Sequence, residues 1–273
     1  MKNLRHKVAV ITGAGSGIGK SLALALSRQE VTLALNDWNA ANLEQTIEEI
    51  RKAGGIVWGK AFDVAQKEEV NQFAEEVLQQ FGQVDIVVNN AGITHEQRLI
   101  ERCSNEDFEK ILGVNLWGVI YGSKAFLPLL KQRPEAALVN ISSIFGVIGY
   151  PNQGAYVTSK FAVRGFTETL RIELEKSPVA VTCVHPGGIR TNIARNIQSE
   201  NSERVEKFAK VFERMAITSA EEAARQIVEA IQKKQKRLVI GPDARKLDWL
   251  ARLFPAAYER WVFKDVDFEK FSS

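Results

Sequence analysis

Cysteine is almost absent: Cys103 and Cys183 are the only two in 273 residues, and they stand eighty positions apart. That excludes a disulfide framework and a multi-cysteine zinc site. Histidine is equally sparse, and His6, His95 and His185 lack metal-ligand spacing, so no metal is expected. No run of about 20 apolar residues occurs, which excludes a membrane-spanning helix. The basic segment Met1–Lys7 leads into an apolar stretch that breaks at Gly13, too short for a secretory signal. An excess of one charge is lacking too, since 36 basic and 33 acidic residues leave only +3. Such a balance offers no overwhelmingly basic face for nucleic acid. A reduced, cytoplasmic protein is the expectation.

What is present is an alternation. Apolar runs at Val8–Thr12, Val31–Leu35, Ile56–Trp58 with Ala61–Phe62, Val84–Val88, Ala136–Ile141, Val179–Val184 and Leu238–Ile240 read as seven strands. Between them Leu43, Ile47 and Ile50, then Val70, Phe73 and Val77, recur at helical steps. Strands apolar throughout, joined by crossover-length helices, mean an α/β fold with a doubly wound parallel sheet and helices on both faces. No Pro/Ser/Gly-rich linker divides the chain, so one domain is expected, its dinucleotide-binding and catalytic part over 1–241. Residues 242–273 differ in character, holding seven of the 23 aromatics. They read as an extension packed on the same domain or on a sister subunit, with a substrate lid or an interfacial membrane contact as the alternatives.

The first strand is followed by a glycine loop, Gly13, Gly15, Gly17 and Gly19, that opens a helix. Backbone N–H groups and the positive helix end can hold phosphate there. The loop departs from the strict dinucleotide fingerprint and nearly meets the P-loop pattern at Gly19-Lys20-Ser21, so alone it supports either ligand. Asp37 ends the second strand run 24 residues after Gly13, where a carboxylate can accept from a ribose diol and repel a 2′-phosphate. No arginine adjoins it, which favours NAD(H) over NADP(H). A magnesium-binding acid at a later strand end, which a triphosphatase needs, is missing: those strands end in Asn89 and Ser142. A P-loop phosphotransferase is the weaker reading, and a catalytically silent dinucleotide-binding regulator is a third.

Tyr156 and Lys160 lie four apart in a helical stretch and so share a face. An ammonium beside a phenol lowers the phenol pKa, which otherwise stands near 10 and makes a poor base. Ser143 precedes Tyr156 by 13 residues and Asn115 precedes it by 41. Together with the Thr12-to-Gly19 loop, Asp63-Val64, Asn89-Asn90-Ala91-Gly92 and Pro186-Gly187 with Thr191, the sequence strongly resembles the short-chain dehydrogenase/reductase family over about residues 6–240.

That resemblance implies Tyr156 as general acid/base and Ser143 as its partner on the reacting oxygen. Lys160 would lower the tyrosine pKa and hold the nicotinamide ribose, and Asn115 would anchor a relaying water. Gly13, Ser16, Gly17, Ile18 and Gly19 would line the pyrophosphate. Asp63 and Val64 would meet adenine, with Asn89, Ala91 and Gly92 flanking the adenosine. Pro186, Gly187, Ile189 and Thr191 would border the nicotinamide. It also implies a homodimer or homotetramer formed by the helices that carry Asn115 and Tyr156. Residues 192–217 fall where a substrate lid is expected, and Ile93, Ile144, Phe145, Val147 and Ile148 suggest an apolar site for a lipophilic alcohol or carbonyl compound. His95 reads as a solvated loop residue and His185 as structural.

Overall fold

The computed structural model describes residues 1–191, 193, 197, 206 and 216–264. Seven strands form one parallel sheet in the order β3-β2-β1-β4-β5-β6-β9, from β1 (Val8–Thr12), β2 (Thr32–Asp37), β3 (Val57–Ala61), β4 (Ile86–Asn89), β5 (Ala136–Ile141), β6 (Val179–Pro186) and β9 (Arg237–Ile240). The register pairs Ile11 with Leu35 on one side and with Val88 on the other. Both faces are covered, and strand alternation divides the core in two. Ala9, Ile11, Leu33, Leu35 and Val88 face one way, with Leu22 and Leu26 of α1 (Gly17–Ser27), Leu43 and Ile47 of α2 (Ala40–Lys52), and Ile227 and Ile231 of α7 (Ala220–Lys233). Val10, Ala34, Val87 and Leu138 face the other, with Phe73 and Val77 of α3 (Lys67–Phe81), Phe126 and Leu130 of α5 (Gly118–Lys131), and Leu170 of α6 (Gly154–Glu173). Since the central strands are buried on both faces, a polar residue in them must find a partner or a ligand.

The helices start where their sequences supply caps. Asn39 accepts from the Asn42 N–H at 3.0 Å, and Ser104 with Asp107 closes a capping box on α4 (Asn105–Leu112). Gly82 ends α3 in the left-handed region, φ 72°.

Two features carry no sequence signal in the strand and helix periodicities. A five-residue π turn, Gly113–Trp117, interrupts the run between α4 and α5 and bears Asn115. A two-stranded parallel ladder joins β7 (Ile189–Arg190) to β8 (Thr218–Ser219). The extension forms α8 (Pro242–Leu253) and α9 (Glu259–Val262). Among the described residues no helix is long and apolar enough to cross a membrane, and no His/Cys/Asp/Glu group could hold a metal.

Candidate active site

The strand order reverses between β1 and β4, so the loops leaving these two strands diverge and open a crevice at the carboxyl ends. Thr12 ties the crevice floor together: its Oγ1 accepts from the Asn90 and Ala91 N–H groups at 3.0 and 3.1 Å. Asn90 Nδ2 returns bonds to the Thr12 and Gly13 carbonyls at 2.9 and 3.0 Å. Gly13 holds φ +66°, and a β-carbon there would press on Ala91 Cα at 2.8 Å, so the two loops meet only because glycine is present.

A cavity of about 370 Å³ runs from this point in both directions, a size typical of ligand sites. Gly13, Ser16, Gly17, Ile18, Asp37, Asp63, Val64, Ala91 and Gly92 line its nucleotide-sized end. Ser143, Tyr156, Lys160, Pro186, Gly187, Ile189 and Thr191 line the other. The start of α1 is uncapped by any side chain and has no acidic residue in its first turn. Its free N–H groups and positive end face the cavity, a cradle suited to a pyrophosphate. Asp37 accepts from the Gly15 N–H at 2.8 Å and the Asn39 N–H at 2.9 Å, which aims the carboxylate at the cavity and leaves lone pairs over for a diol.

Three expected site residues lie outside the cavity wall. Asn89 is buried and donates to Asn140 Oδ1 at 2.8 Å and Ser123 Oγ at 3.1 Å, which makes it a tie between strands and helix α5. Asn90, one residue on and so on the opposite side of the strand end, is the one that faces the cavity. Gly19 packs so close that a β-carbon would strike the Gly13 carbonyl. Asn115 is fully buried. Its Oδ1 accepts from the Ile93 N–H at 2.8 Å, and its Nδ2 donates to the Ile93 carbonyl and Ser159 Oγ, each at 3.0 Å. The π turn permits this, since one extra residue per turn rotates the amide toward the segment after β4. A β-carbon on Gly92 would sit 3.3 Å from both Asn115 Oδ1 and Lys160 Nζ, so these two groups share the space under Gly92.

At the reacting end Ser143 and Tyr156 share a hydrogen bond, and Ser143 Oγ also accepts from the Phe145 N–H at 3.1 Å. Lys160 is buried and donates to the Ile141 carbonyl at 3.1 Å. Burial, which disfavours the ammonium, pulls its pKa down to about 8. Burial likewise pushes the Tyr156 phenol above its ordinary value, with the Ser143 bond opposing. Lys160 Nζ stands 5.6 Å from the centroid of the Tyr156 ring.

The surrounding wall also differs from expectation. Ile93 lines the cavity, but Ile144 and Ile148 are buried in the core behind it. His95 is buried rather than solvated and lines the cavity, its Nδ1 held 2.6 Å from the Glu96 carbonyl. His185 is structural as read, with Nδ1 donating to the Ser143 carbonyl at 3.0 Å. Trp38, 61% exposed, and Asn42 join the nucleotide end without having been singled out. Their signal was only adjacency to Asp37. Of the expected lid, Val205, Phe208, Val211, Phe212 and Met215 lie outside the described residues; Ile193 lines the cavity and Ile197 is buried.

A family model for short chain dehydrogenase matches residues 7–202. The chain belongs to the short-chain dehydrogenase/reductase family. SadH of Mycobacterium tuberculosis, whose naming as an oxidoreductase is provisional, is 45% identical over 269 residues, 97% of each chain. A 3-oxoacyl-[acyl-carrier-protein] reductase of Thermotoga maritima is 34% identical over 200 residues, covering 73% of this chain and 81% of its own. Among solved structures, a family member from Burkholderia phymatum in complex with NAD superimposes with a TM-score of 0.86 at 29% identity, covering 93% of this chain and 95% of its own. An alcohol dehydrogenase from Thermococcus sibiricus complexed with 5-hydroxy-NADP gives 0.74 at 32% identity, covering 86% and 96%. As a family member this short-chain dehydrogenase/reductase is an NAD(P)-dependent oxidoreductase, and relatives with either cofactor share its fold.

Proposed function

We propose that this enzyme transfers hydride between NAD and a lipophilic alcohol/carbonyl pair, either a secondary alcohol and ketone or an alcohol and aldehyde. The observation that carries the reading is the cavity itself, which has Asp37 at one end and Ser143, Tyr156 and Lys160 at the other. NAD, when bound, supplies the hydride chemistry. The uncapped N-terminus of α1 with Ser16, Gly17 and Ile18 would hold its pyrophosphate, Asp37 its adenosine ribose, and Asp63 and Val64 its adenine. Pro186, Gly187, Ile189 and Thr191 would border the nicotinamide.

In reduction Tyr156 gives its proton to the carbonyl oxygen while the Ser143 hydroxyl hydrogen-bonds the same oxygen as charge develops on it. With the phenol pushed up and protonated at neutral pH, the pair stands ready in that direction. Lys160 places a cation near the phenolate that forms, and Asn115, through the free lone pair of Oδ1 beside Lys160, would seat a water that returns the proton. Asp37 supports NAD over NADP because a 2′-phosphate would meet a buried carboxylate, and Asn36 and Trp38 beside it carry no compensating charge. The apolar residues Ile93, Ile189 and Ile193 support a lipophilic substrate.

An absorbance screen at the nicotinamide band, run with NAD(H) and NADP(H) against alcohols, ketones and aldehydes, tests all three parts. Turnover of polar sugars alone would reject the substrate class. We further propose a cytoplasmic homodimer or homotetramer. Trp117 before α5 and Phe161 on α6 are 48% and 40% exposed on the helical segments that bear Asn115 and Tyr156, large apolar surfaces that a sister subunit would cover. Light scattering of a monomer would overturn the assembly.

A further inference from the structure

Two polar contacts leave the C-terminal extension and end on the opposite lips of the cleft. Asp243, in the first turn of α8, accepts from the Gly188 N–H through Oδ2 at 2.7 Å. The neighbouring Gly187 N–H donates to the Ile240 carbonyl at 2.9 Å. A β-carbon at Gly187 or Gly241 would strike the Asp243 carboxylate, so the Pro186–Gly188 turn is wrapped around it. The other carboxylate oxygen, Oδ1, is buried without a partner, a costly arrangement for a group whose only task is to stabilise the fold. On the second lip Tyr258 Oη accepts from the Gly149 N–H at 2.9 Å. Gly149 ends the segment that begins at Ser143. Ring contacts follow the same path, from Phe263 to Tyr150 at 5.7 Å, from Tyr150 to Phe145 at 4.5 Å, and from Phe145 to Tyr156 at 6.3 Å.

We infer that residues 242–264 brace the cleft, with Tyr258 a positioning residue for the Ser143–Tyr156 side and Asp243 a positioning residue for the turn at the cofactor side. This deepens the oxidoreductase reading and rests on it. The hydroxyl of Tyr258 holds segment 144–150, and that segment presses the Phe145 edge on the Tyr156 ring. Its loss would let the phenol drift from the carbonyl oxygen without touching the nucleotide end. Asp243 acts in the complementary way: it fixes where Gly187 and Gly188 stand, and Gly187 lines the cavity with Ile189. Both anchors are far from the chemistry in sequence, |i−j| being 109 for Tyr258 and Gly149 and 55 for Asp243 and Gly188.

The two contacts predict separable kinetic effects. Tyr258→Phe keeps the ring and removes the acceptor, and should lower kcat for ketones about three- to tenfold with KM little changed. Its dissociation constant for NADH, read by fluorescence titration, should stay unchanged. Asp243→Ala should weaken NADH about three- to tenfold in the same titration, and Asp243→Asn, which keeps an acceptor oxygen, should restore binding. Variants that shift only the melting temperature, or shift kcat and NADH affinity together, would overturn the brace. A wild-type enzyme that binds NADH but turns over no carbonyl compound would instead sink the substrate reading, while the Asp243 titration would still report on the cofactor lip.

Discussion

Lys160 Nζ stands 5.6 Å from the centre of the Tyr156 ring, yet its hydrogen bond goes to the Ile141 carbonyl, 3.1 Å away. No ion pair with Lys160 exists among the described residues, so a buried ammonium is held by neutral groups. The consequence is divergence: the lysine is pulled down to about 8 while the phenol is pushed up from 10, each by the same loss of solvent. Charge here is kept for chemistry at the expense of stability.

Tyr156→Phe removes the only proton donor assigned to the reacting oxygen and leaves the cavity shape intact. Turnover should fall by about 10²- to 10⁴-fold. NADH affinity, measured by fluorescence titration, should stay within about twofold, since the phenol hydroxyl is the only group lost. An active variant would remove Tyr156 from its role.

Lys160→Met should abolish turnover and raise stability. The folded-state pKa is about 8 against 10.5 for the free side chain. Below pH 8 both states hold the proton and the full burial cost is present. Between 8 and 10.5 the native state releases it first, so the unfolded state binds more protons and wild-type stability rises with pH. Allowing for the lost Ile141 bond, the variant should be about 2 kcal/mol more stable at pH 7. The gap should close toward pH 10.5. Denaturant titrations at several pH values check this, and a variant less stable than wild type at neutral pH would contradict it.

His185 makes a prediction of the same sign at the acid end. Burial lowers its pKa to about 4, and its Nδ1 donates to the backbone of Ser143. The unfolded imidazole takes up its proton near 6.5, so stability is full above that value and falls as pH drops toward 4, by about 3 kcal/mol. His185→Gln should flatten this arm of the stability curve. In the folded enzyme the imidazole stays neutral until the pH nears 4, so its bond to Ser143 persists across this window and kcat of the folded protein should show no His185-dependent decline there.

The double substitution Asp37→Ser with Trp38→Arg should shift the ratio of kcat/KM values toward NADP by about tenfold or more, by removing the repelling carboxylate and adding a cation. Asp37 also holds the Gly15 N–H, so affinity for NAD should fall as well. An unchanged preference would show that Asp37 does not read the ribose.

The sheet and the outline of the site were legible in the chain because each rests on a local requirement. A strand covered on both faces must be apolar throughout, which marks Val8–Thr12 and Ala136–Ile141 without reference to anything distant. A turn that brings two backbones together must be glycine, which marks Gly13. Tyr156 and Lys160 share a helical face by spacing alone.

What only the tertiary structure decided are properties set by contact across the chain. Asn89 and Asn90 are chemically identical, and which of them faces the cavity depends on the register of β4 between β1 and β5. The burial of His95, the inward turn of Asn115 and the reach of Tyr258 to Gly149 have no local pattern. The pKa values of Tyr156 and Lys160 belong to the same class: spacing brings the phenol and the ammonium together, but the solvent removed around them by β5, β6 and the 144–150 segment determines which way each one titrates.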